Sequence, residues 1–332
     1  MSKTMKDVAE LAGVSLSTVS RVINKSHLVS KDTTIKVKQA IEKLDYQIND
    51  SARALRTNIS NLIGIIGAGM DNPFLMKVLQ TIEAEAIKEN YNIIYSDSEG
   101  ELEQELYYIN MFKQKKVDGL IIMTANFADE LIKAVRNANI PAVFASGHLD
   151  TLDLLSVTVN NIKAAEEVSK YLFSIDNYFG IIRGPYRDSV ASKERMQGII
   201  NIYKENNIKL KDDYIAEGDF SYQSGYKSTK VLLEKNPNLS SIFAFNDQMA
   251  IGAIKYCQDN NIKIPKEISI VGFDGIEISK FVTPTLSTVY QSSTTLGDKI
   301  MEVLIKKINK EVLDKNQFFI PFNLKIRKSS KN

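Results

Sequence analysis

The sequence contains few of the residues from which catalytic centres and metal sites are built. Only one of its 332 residues is cysteine and only two are histidine. Cys257 falls in a predicted helix, where a small buried hydrophobic residue is its expected role. His27 and His148 are far apart and have no cysteine or carboxylate cluster at ligand spacing. We therefore expect no metal site, no bound cofactor and no catalytic residues.

Long apolar segments are also absent. No run of about twenty apolar residues could span a bilayer, and the N-terminal segment is polar and charged, unlike a signal peptide. The sequence therefore predicts a cytoplasmic protein without a membrane partner. With 332 residues, of which 44% are hydrophobic, the chain exceeds one usual hydrophobic core and predicts two or three domains.

Residues 5–24, MKDVAELAGVSLSTVSRVIN, have the pattern of two short amphipathic helices joined by a glycine turn. Thr4 and Asp7 are spaced as a capping box that starts the first helix, and Gly13 ends that helix. The buried side of the first helix is predicted from residues that recur at helical spacing: Val8, Leu11 and Ala12. The arrangement is typical of a DNA-binding helix-turn-helix, although any small domain can contain a helical hairpin.

The second helix of this pair, from about Leu16, is predicted to read DNA. Its buried side consists of Val19, Val22 and Ile23. Residues on its outer side, near the N-terminal half, are predicted to contact base edges: Leu16, Ser17 and Arg21. Hydroxyl groups at the start of the helix are suited to hold phosphates: Ser15, Ser17, Thr18 and Ser20. Asn24 and Ser30 complete the predicted DNA-binding residues of this segment.

Two further observations favour DNA binding over an ordinary helical hairpin. A third helix is predicted from about 31 to 44, and its apolar stripe would complete a three-helix core: Val37, Ala40, Ile41 and Leu44. Residues 1–60 carry ten Lys or Arg and six Asp or Glu, whereas the remaining 272 residues carry 32 and 34. A basic head on a slightly acidic body provides local attraction to a polyanion.

From Leu62 onward, short apolar runs alternate with helical stretches, which predicts parallel sheets with crossover helices. The first set of strands is LIGIIG, NIIYS, GLIIM and PAVFAS, separated by helices near 74–89, 101–115 and 128–138. The second set is SVTV, YFGIIRG, YIAEG, SIFAFN and ISIVGF, with helices near 163–174, 190–206, 222–234 and 248–260. Two such sets predict two doubly wound subdomains that face each other across a cleft.

Four segments of the chain together resemble the motifs of one known family: residues 5–24, YQINDSARAL at 46–55, NDQMAIGA at 246–253 and ISIVGFDG at 268–275. With this set the chain resembles, essentially end to end, the LacI/GalR family of bacterial transcription regulators. The resemblance implies an all-α helix-turn-helix head and an α/β periplasmic-binding-protein-like body with two doubly wound parallel-sheet subdomains.

The same resemblance implies the domain bounds. A DNA-binding domain is expected at 1–47, a hinge helix and linker at 48–60, and an effector-binding and dimerisation domain at 61–332. Within the last of these, the N-subdomain comprises 61–159 with 291–319, including a helix near 293–309. The C-subdomain comprises 160–290 with 320–332.

Residues 48–60 contain a short possible helix with Asn49 as its cap. A helix of this length is not stable alone in water. In the family it folds when two subunits meet on the operator and inserts a leucine into the minor groove. Leu55 matches that leucine, and Ala52 lies one turn earlier on the same face. This chain departs from the family at Ile48, where a proline is usual.

Polar and aromatic residues follow the apolar runs, at the positions where doubly wound sheets bind ligands. The resemblance implies five effector contacts: Phe74, Arg195, Phe220, Asn246 and Asp274. Their polar groups can bond sugar hydroxyls, and the two aromatic rings could sandwich a sugar ring. Asp247, which opens the next helix, is expected to cap it. Because the purine-binding branch carries arginine at the position of Ser189, we expect a sugar or sugar phosphate.

Other functions have weaker support in the sequence. The segment GIIGAGMDN loosely resembles the dinucleotide fingerprint of an enzyme, but Asn72 stands where the third glycine is needed. A periplasmic binding protein shares the body but lacks the head and needs an export signal. The catabolite-control branch of the family, which binds a serine-phosphorylated phosphocarrier protein, shares the VDG and SVTV segments and stays open as an alternative.

Oligomeric state and regulatory sign are expected from the family. Repression is the family default. The C-terminal segment IRKSSKN has no leucine heptad of the kind that forms tetramers in some relatives. We therefore expect a homodimeric repressor on double-stranded operator DNA.

Overall fold

The computed structural model describes residues 3–23, 28–46, 59–67, 69–124, 127–145, 147, 153–185 and 189–331. The chain divides into two compact units, Met1–Ser60 and Asn61–Asn332. Within the described ranges, no helix combines the length and the apolar character needed to cross a membrane.

The first unit contains the helices α1 (Met5–Ala12), α2 (Leu16–Ile23) and α3 (Lys31–Lys43). The predicted capping box starts α1: the Thr4 N–H donates to Asp7 Oδ2 at 2.7 Å, and the Asp7 N–H donates to Thr4 Oγ1 at 3.4 Å. Gly13 follows α1 in the left-handed conformation, with φ of 67°, which a residue without Cβ adopts at little cost. Both predicted ends of α1 are therefore confirmed.

The three helices enclose one small apolar core. Its buried members are Val8, Ala9, Val19, Val22, Val37 and Ala40. The predicted buried side of α1 is wrong at Leu11, whose side chain is 45% exposed. Successive helical residues turn by about 100°, so Leu11 lies about 60° from Val8 on the side opposite Ala9. Because the direction from α1 to the core passes between Val8 and Ala9, Leu11 lies at the edge of the buried face of the helix.

Twelve strands form two sheets in the described part of the second unit. The first sheet contains β1 (Leu62–Gly67), β2 (Asn92–Asp97), β3 (Gly119–Met123), β4 (Ala142–Ala145), β5 (Leu155–Val159) and β11 (Gln317–Ile320). The second contains β6 (Gly180–Arg183), β7 (Ile215–Glu217), β8 (Ser241–Ala244), β9 (Ser269–Asp274), β10 (Ser287–Gln291) and β12 (Phe322–Lys325). Most of these strands are runs of buried apolar residues, as expected where helices cover both faces of a parallel sheet.

The strand orders are those of doubly wound sheets. The first sheet is hydrogen-bonded in the order β11-β5-β4-β3-β1-β2, and the second in the order β12-β10-β9-β8-β6-β7. All neighbouring strands run parallel except β10 and β12, which are antiparallel. The chain therefore passes from the first sheet to the second after β5, returns after β10, and passes again between β11 and β12.

One strand belongs to a different sheet from the one with which the sequence pattern grouped it, although the subdomain bounds implied by the family resemblance, 61–159, included it with the first set. SVTV was grouped with the second set of strands, but it forms most of β5 and pairs with β4 in the first sheet, where Val157 is opposite Ala145. Alternating apolar residues identify a strand but carry no information on the strand with which it pairs. That choice depends on tertiary packing.

Helices of the second unit connect the strands. They are α4 (Pro73–Lys88), α5 (Leu102–Lys115), α6 (Asp129–Ala138), α7 (Asn161–Phe173), α8 (Val190–Glu205), α9 (Tyr222–Lys235), α10 (Asp247–Asp259) and α11 (Ser293–Ile308). These bounds agree with the predicted helices to within two residues at each end. Cys257 is fully buried in α10, as predicted.

Candidate functional site

The outer side of α2 presents the predicted base-contacting residues to solvent. Leu16 is 52% exposed, and Ser17 and Arg21 are also exposed, whereas Val19 and Val22 are buried. An exposed leucine at the start of a helix is available for an apolar contact, for example with a thymine methyl group. The Arg21 guanidinium is available for a bidentate hydrogen bond to a base edge.

Hydroxyl groups at the starts of α2 and α3 are engaged locally. Ser15 Oγ accepts from the Thr18 N–H at 3.2 Å and lies 2.8 Å from Ser17 Oγ. Ser30 Oγ accepts from the Thr33 N–H at 3.3 Å and so caps α3. Ser15 and Ser30 therefore stabilise helix starts, and any phosphate contact would be an additional role.

Several predicted residues lie outside the described ranges. These are the DNA-binding residues Asn24, Asn49, Ala52 and Leu55, together with both histidines. The hinge segment 48–60 is described only at 59 and 60. The roles assigned to these residues stay predictions.

A cleft of about 630 Å³ lies within the second unit, where the carboxyl ends of strands from both sheets meet. Its volume falls in the range of small-molecule sites. The lining includes all five residues that were predicted to contact an effector: Phe74, Arg195, Phe220, Asn246 and Asp274. Doubly wound sheets provide ligand sites at this edge, because the loops that follow parallel strands converge there.

Arg195, on α8, lines the cleft and is 6% exposed. Its Nε donates to Asn161 Oδ1 at 3.0 Å, its Nη1 donates to the Phe245 carbonyl, and its guanidinium carbon lies 3.5 Å from the centroid of the Phe273 ring. Burial lowers the pKa of Arg195 to about 10, and the negative charge of Asp274 opposes this shift. The guanidinium therefore remains charged at neutral pH in a fixed orientation.

Asp274 ends β9 at the cleft and is also 6% exposed. Burial raises the pKa of Asp274 to about 6, although Arg195 and a hydrogen bond from Gln291 Nε2 to Asp274 Oδ1 at 2.8 Å oppose the rise. Its φ is 111°, outside the regions that residues with a Cβ ordinarily adopt. Backbone strain of this kind concentrates at functional sites.

Phe220 lines the cleft in a left-handed conformation, with φ of 69°. Asn246 Nδ2 donates to the Phe220 carbonyl at 2.8 Å, and Asn246 Oδ1 accepts from the Met249 N–H at 2.9 Å. One side-chain amide therefore caps α10 and holds the backbone of Phe220. Phe74, the second residue of α4, is 8% exposed and belongs to both the apolar core and the cleft lining.

The predicted capping role of Asp247 is wrong, because Asn246 occupies the cap position of α10. The Asp247 carboxylate is fully buried and joins two strand ends instead. Its Oδ2 accepts from the Ile276 N–H at 2.8 Å, and its Oδ1 accepts from Thr288 Oγ1 at 2.5 Å. Burial and the nearby charge of Asp274 raise the pKa of Asp247. A cap residue must precede the first helical residue. Asn246 therefore caps α10, and Asp247, one residue later, is already inside the helix.

Two supporting residues of the cleft were not among the predicted site residues. Asn161 orients Arg195, and Gln291 orients Asp274. Asn161 lies two residues beyond β5 and Gln291 ends β10, and these positions at strand ends are a sequence signal that could have indicated them. Among the described residues, no group of three or more His, Cys, Asp or Glu side chains could hold a metal ion.

A three-helix unit with an exposed second helix, followed by a cleft between two doubly wound sheets, defines a class: helix-turn-helix regulators with a periplasmic-binding-protein-like body. Residues 4–49 match the description "Bacterial regulatory proteins, lacI family". Residues 60–328 match "Periplasmic binding proteins and sugar binding domain of LacI family". The chain belongs to the lacI family of bacterial regulatory proteins.

Individual relatives agree with this assignment over the whole chain. The chain is 32% identical to catabolite control protein A of Priestia megaterium over 332 residues, which covers 100% of both proteins. It is 31% identical to the HTH-type transcriptional repressor PurR of Aliivibrio salmonicida (strain LFI1238) over 328 residues, covering 98% of each. It is also similar to the lac repressor dimer bound to operator and the anti-inducer ONPF, with a TM-score of 0.90, 27% identity and 99% of each chain covered. The predicted family and fold class are therefore confirmed.

Proposed function

We propose that this protein is a cytoplasmic, non-enzymatic transcription repressor that binds a specific operator in double-stranded DNA as a homodimer and responds to a sugar or sugar phosphate. The observation that carries the proposal is the pair of buried charged residues, Arg195 and Asp274, in the wall of a ligand-sized cleft. Buried charges with shifted pKa values mark candidate functional sites. The similarity to a catabolite control protein and to a PurR repressor supports the regulatory role.

The DNA-binding part of the proposal comprises residues 1–47 and the hinge at 48–60. Base contacts are assigned to Leu16, Ser17 and Arg21, because these side chains are exposed on α2. Arg21 reads guanine through its two-pronged guanidinium. Further contacts are assigned to Ser15, Thr18, Asn24, Ser30, Asn49 and Ala52, with Leu55 inserted into the minor groove.

The effector is assigned to the cleft in 61–332. The proposed N-subdomain, 61–159 with 291–319, contains nearly all of the first sheet, and the proposed C-subdomain, 160–290 with 320–332, contains nearly all of the second. The five contacts are Phe74, Arg195, Phe220, Asn246 and Asp274. An effector that binds both subdomains changes their relative position and alters operator affinity through a coupling free energy of about 1–3 kcal/mol.

An exposed apolar groove on the second unit supports the homodimer. Phe281, directly before the groove residue Val282, is 71% exposed. Contiguous exposed apolar surface marks protein interaction sites, and the similar lac repressor structure is described as a dimer. The groove lies along α9 and α10 and is lined by residues that include Tyr222, Tyr226, Ile251, Ile254 and Val282.

The test selects duplexes from a random-sequence library with the full-length protein and then titrates the enriched sequence with and without sugars. Enrichment of a palindromic sequence, and a change in its affinity when a sugar is added, are the expected results. Arg195→Met should abolish the response to the sugar. The proposal fails if no duplex is preferred over random competitor under any of these conditions.

The full-length similarity to catabolite control protein A favours a second candidate, in which a serine-phosphorylated phosphocarrier protein controls the regulator. A pull-down with the phosphorylated and unphosphorylated phosphocarrier separates the candidates. Retention of the phosphorylated form alone supports the partner mechanism. Release of operator DNA by a sugar supports direct induction.

A further inference from the structure

The charge of the cleft distinguishes between the two ligand classes in the proposed function. We infer that the cleft selects an uncharged sugar and rejects the corresponding sugar phosphate; this inference rests on the proposed function and narrows it. Among the described residues that line the cleft, Arg195 is the only basic one. The carboxylates in the same lining are Asp71, Glu99, Glu101, Asp219 and Asp274.

Arg195 offers a phosphate only part of its guanidinium. Two of its nitrogens already donate hydrogen bonds, to Asn161 and to the Phe245 carbonyl, and one face of the guanidinium lies on the Phe273 ring. The charge of Asp274 acts on it from within the same cleft. Phosphate sites built on arginine use free donors in a bidentate arrangement. A phosphate that approached Arg195 would therefore meet a guanidinium whose positive charge is partly balanced by the Asp274 carboxylate beside it.

Helix N-termini are the other common source of phosphate sites, because their first N–H groups are unpaired and the helix dipole favours an anion. Several helices begin at this cleft, and in all but one of them a side-chain oxygen of the cap residue already accepts from an N–H group of the first turn. The exception is α5, where the cap position is held by Glu101, itself a carboxylate that would repel a phosphate. The caps of α4, α7, α8, α9 and α10 are Asn72, Asn160, Ser189, Ser221 and Asn246. Each cap removes a donor that a phosphate would need.

The start of α9 carries an anion of its own. Asp219 Oδ1 accepts from the Ser221 N–H at 2.9 Å, and hydrogen bonds from Ser221 lower the pKa of Asp219. A carboxylate of the chain thus occupies the place where an external anion would be stabilised by this helix. A ligand phosphate at α9 would be repelled by Asp219.

The residues of the second unit outside the described ranges do not change the sign of this charge. By sequence, positions 68, 125–126, 146, 148–152 and 186–188 contain one arginine, one histidine and two aspartates. Even with this arginine counted at the cleft and both aspartates left out, the carboxylates of the lining outnumber its Lys and Arg side chains by five to two.

An uncharged sugar suits the same lining. Sugar hydroxyls are donors as well as acceptors, and ionised carboxylates accept hydrogen bonds without donating any. Asp274, at the end of β9, is fixed by Gln291 and has acceptor capacity that faces the cleft. The aromatic side chains of Phe74 and Phe220 supply apolar surface for the C–H faces of a sugar ring.

The experiment measures binding of matched pairs to the full-length protein by thermal shift and calorimetry. Glucose is compared with glucose 6-phosphate, galactose with galactose 6-phosphate, and further mono- and disaccharides with their phosphate esters. Inorganic phosphate at the same concentration corrects for anion binding to the basic first unit. In any pair of which at least one member binds, we expect the unphosphorylated sugar to bind at least tenfold more tightly than its phosphate ester.

The possible outcomes are distinguishable. A phosphate ester that binds as well as or better than its parent sugar overturns this inference and leaves the proposed function standing. If neither member of any pair binds, the proposed function itself is contradicted, and the inference fails with it.

A charge-neutralised variant tests whether the discrimination is electrostatic. Glu99→Gln, Glu101→Gln and Asp219→Asn are combined and compared with a control that combines Glu103→Gln and Glu205→Gln, two exposed carboxylates outside the cleft lining. The cleft variant should lose most of the preference for the unphosphorylated sugar, and the control should keep it. In the unmodified protein the preference should weaken between about 0.05 M and about 0.5 M salt. A preference that neither neutralisation nor salt reduces would be steric and would overturn the inference.

Discussion

The side-chain amide of Asn246 joins two loops at the cleft by donating from Nδ2 to the Phe220 carbonyl at 2.8 Å while Oδ1 accepts from the Met249 N–H at 2.9 Å. The first loop follows β7 and the second follows β8, which are separated in the sheet only by β6. The bond holds Phe220 at a positive φ that residues with a Cβ rarely adopt. The aromatic wall of the cleft therefore depends on an amide that also starts α10.

Replacement of Asn246 tests this double role. Asn246→Ala removes the cap and the bond to Phe220, so we expect a loss of about 2 kcal/mol in the free energy of unfolding and a large loss of effector affinity. Asn246→Asp keeps the cap acceptor but loses the donor, so it should retain more stability while still weakening effector binding. Thermal unfolding and ligand titration of both variants provide the measurement.

A matched control for Asn246 is the cap of α11. Ser292 Oγ accepts from the Thr295 N–H at 3.1 Å, and Ser292 does not line the cleft. Ser292→Ala should lower stability by about 1 kcal/mol and leave effector affinity unchanged. Equal losses of affinity in Ser292→Ala and Asn246→Ala would show that the effect is general destabilisation.

Arg21 should determine sequence preference more than overall attraction to DNA. Because a bidentate arginine–guanine contact discriminates by about 1–3 kcal/mol, Arg21→Ala should relax the preference of the enriched operator over mismatched duplexes by that amount. Lys38→Ala, on the exposed side of α3, should leave the preference unchanged. Anisotropy titrations with matched and mismatched duplexes give both values. The same loss of preference in Lys38→Ala would contradict the assignment to α2.

The Asp274 carboxyl should make stability depend on pH. Its pKa is about 6 in the folded protein and 3.8 in an unperturbed state, so the folded protein binds this proton more tightly than the unfolded chain. The resulting stabilisation is fully present below about pH 4 and is lost as the pH rises through about 6. The free energy of unfolding of the unmodified protein, relative to that of Asp274→Asn, should therefore decrease by up to about 3 kcal/mol between about pH 4 and about pH 7.

Chemical denaturation of both proteins at several pH values measures this difference. The comparison is needed because other carboxyl groups also titrate, among them the buried Asp247, whose pKa is raised by burial and by the charge of Asp274. A difference between the two proteins that is flat, or that increases with pH, would show that burial does not disfavour the charged form of Asp274.

Gly198 allows α7 and α8 to approach closely. A Cβ built on Gly198 would lie 2.3 Å from the Ile162 carbonyl oxygen, a backbone atom that cannot move without shifting α7. Gly198→Ala should therefore cost about 1–3 kcal/mol of stability and weaken effector binding, because Asn161 and Arg195 lie on the two displaced helices. At Gly119 the nearest atom is the flexible Ile308 Cδ1 at 3.0 Å, so Gly119→Ala should cost less and spare the cleft. Thermal unfolding and effector titration test both variants.

Local sequence signals predicted local structure well. The capping box of Thr4 and Asp7, the terminating Gly13 and the helices of the second unit depend on residues within a few positions of each other, and all were placed to within two residues. The five effector contacts came from the resemblance to a family, and the structure brings all five to one cleft. Their contact with a ligand remains a proposal.

The predictions were wrong where the outcome depends on a distant segment. The exposure of Leu11 follows from the direction in which α2 and α3 pack against α1, and the pairing of β5 with β4 depends on how the strands of the first sheet assemble. Asp247 was expected to cap a helix and instead bonds Ile276 and Thr288, which lie 29 and 41 residues away. No periodicity within a short window contains that information.

By itself the sequence determined the order and type of the described α-helices and of nine of the twelve described strands, the basic charge of the first unit and the family; β10, β11 and β12 were not predicted. The elements and the charge follow from side-chain spacing and composition, which depend on short segments and on residue counts, and the family follows from the resemblance of four short segments. The tertiary structure alone decided which carboxylates share a cleft with Arg195. It also decided that Asn161 accepts from Arg195 and that Gln291 donates to Asp274. The electrostatic potential that a ligand meets depends on distances between residues far apart in the chain, and only folding sets those distances.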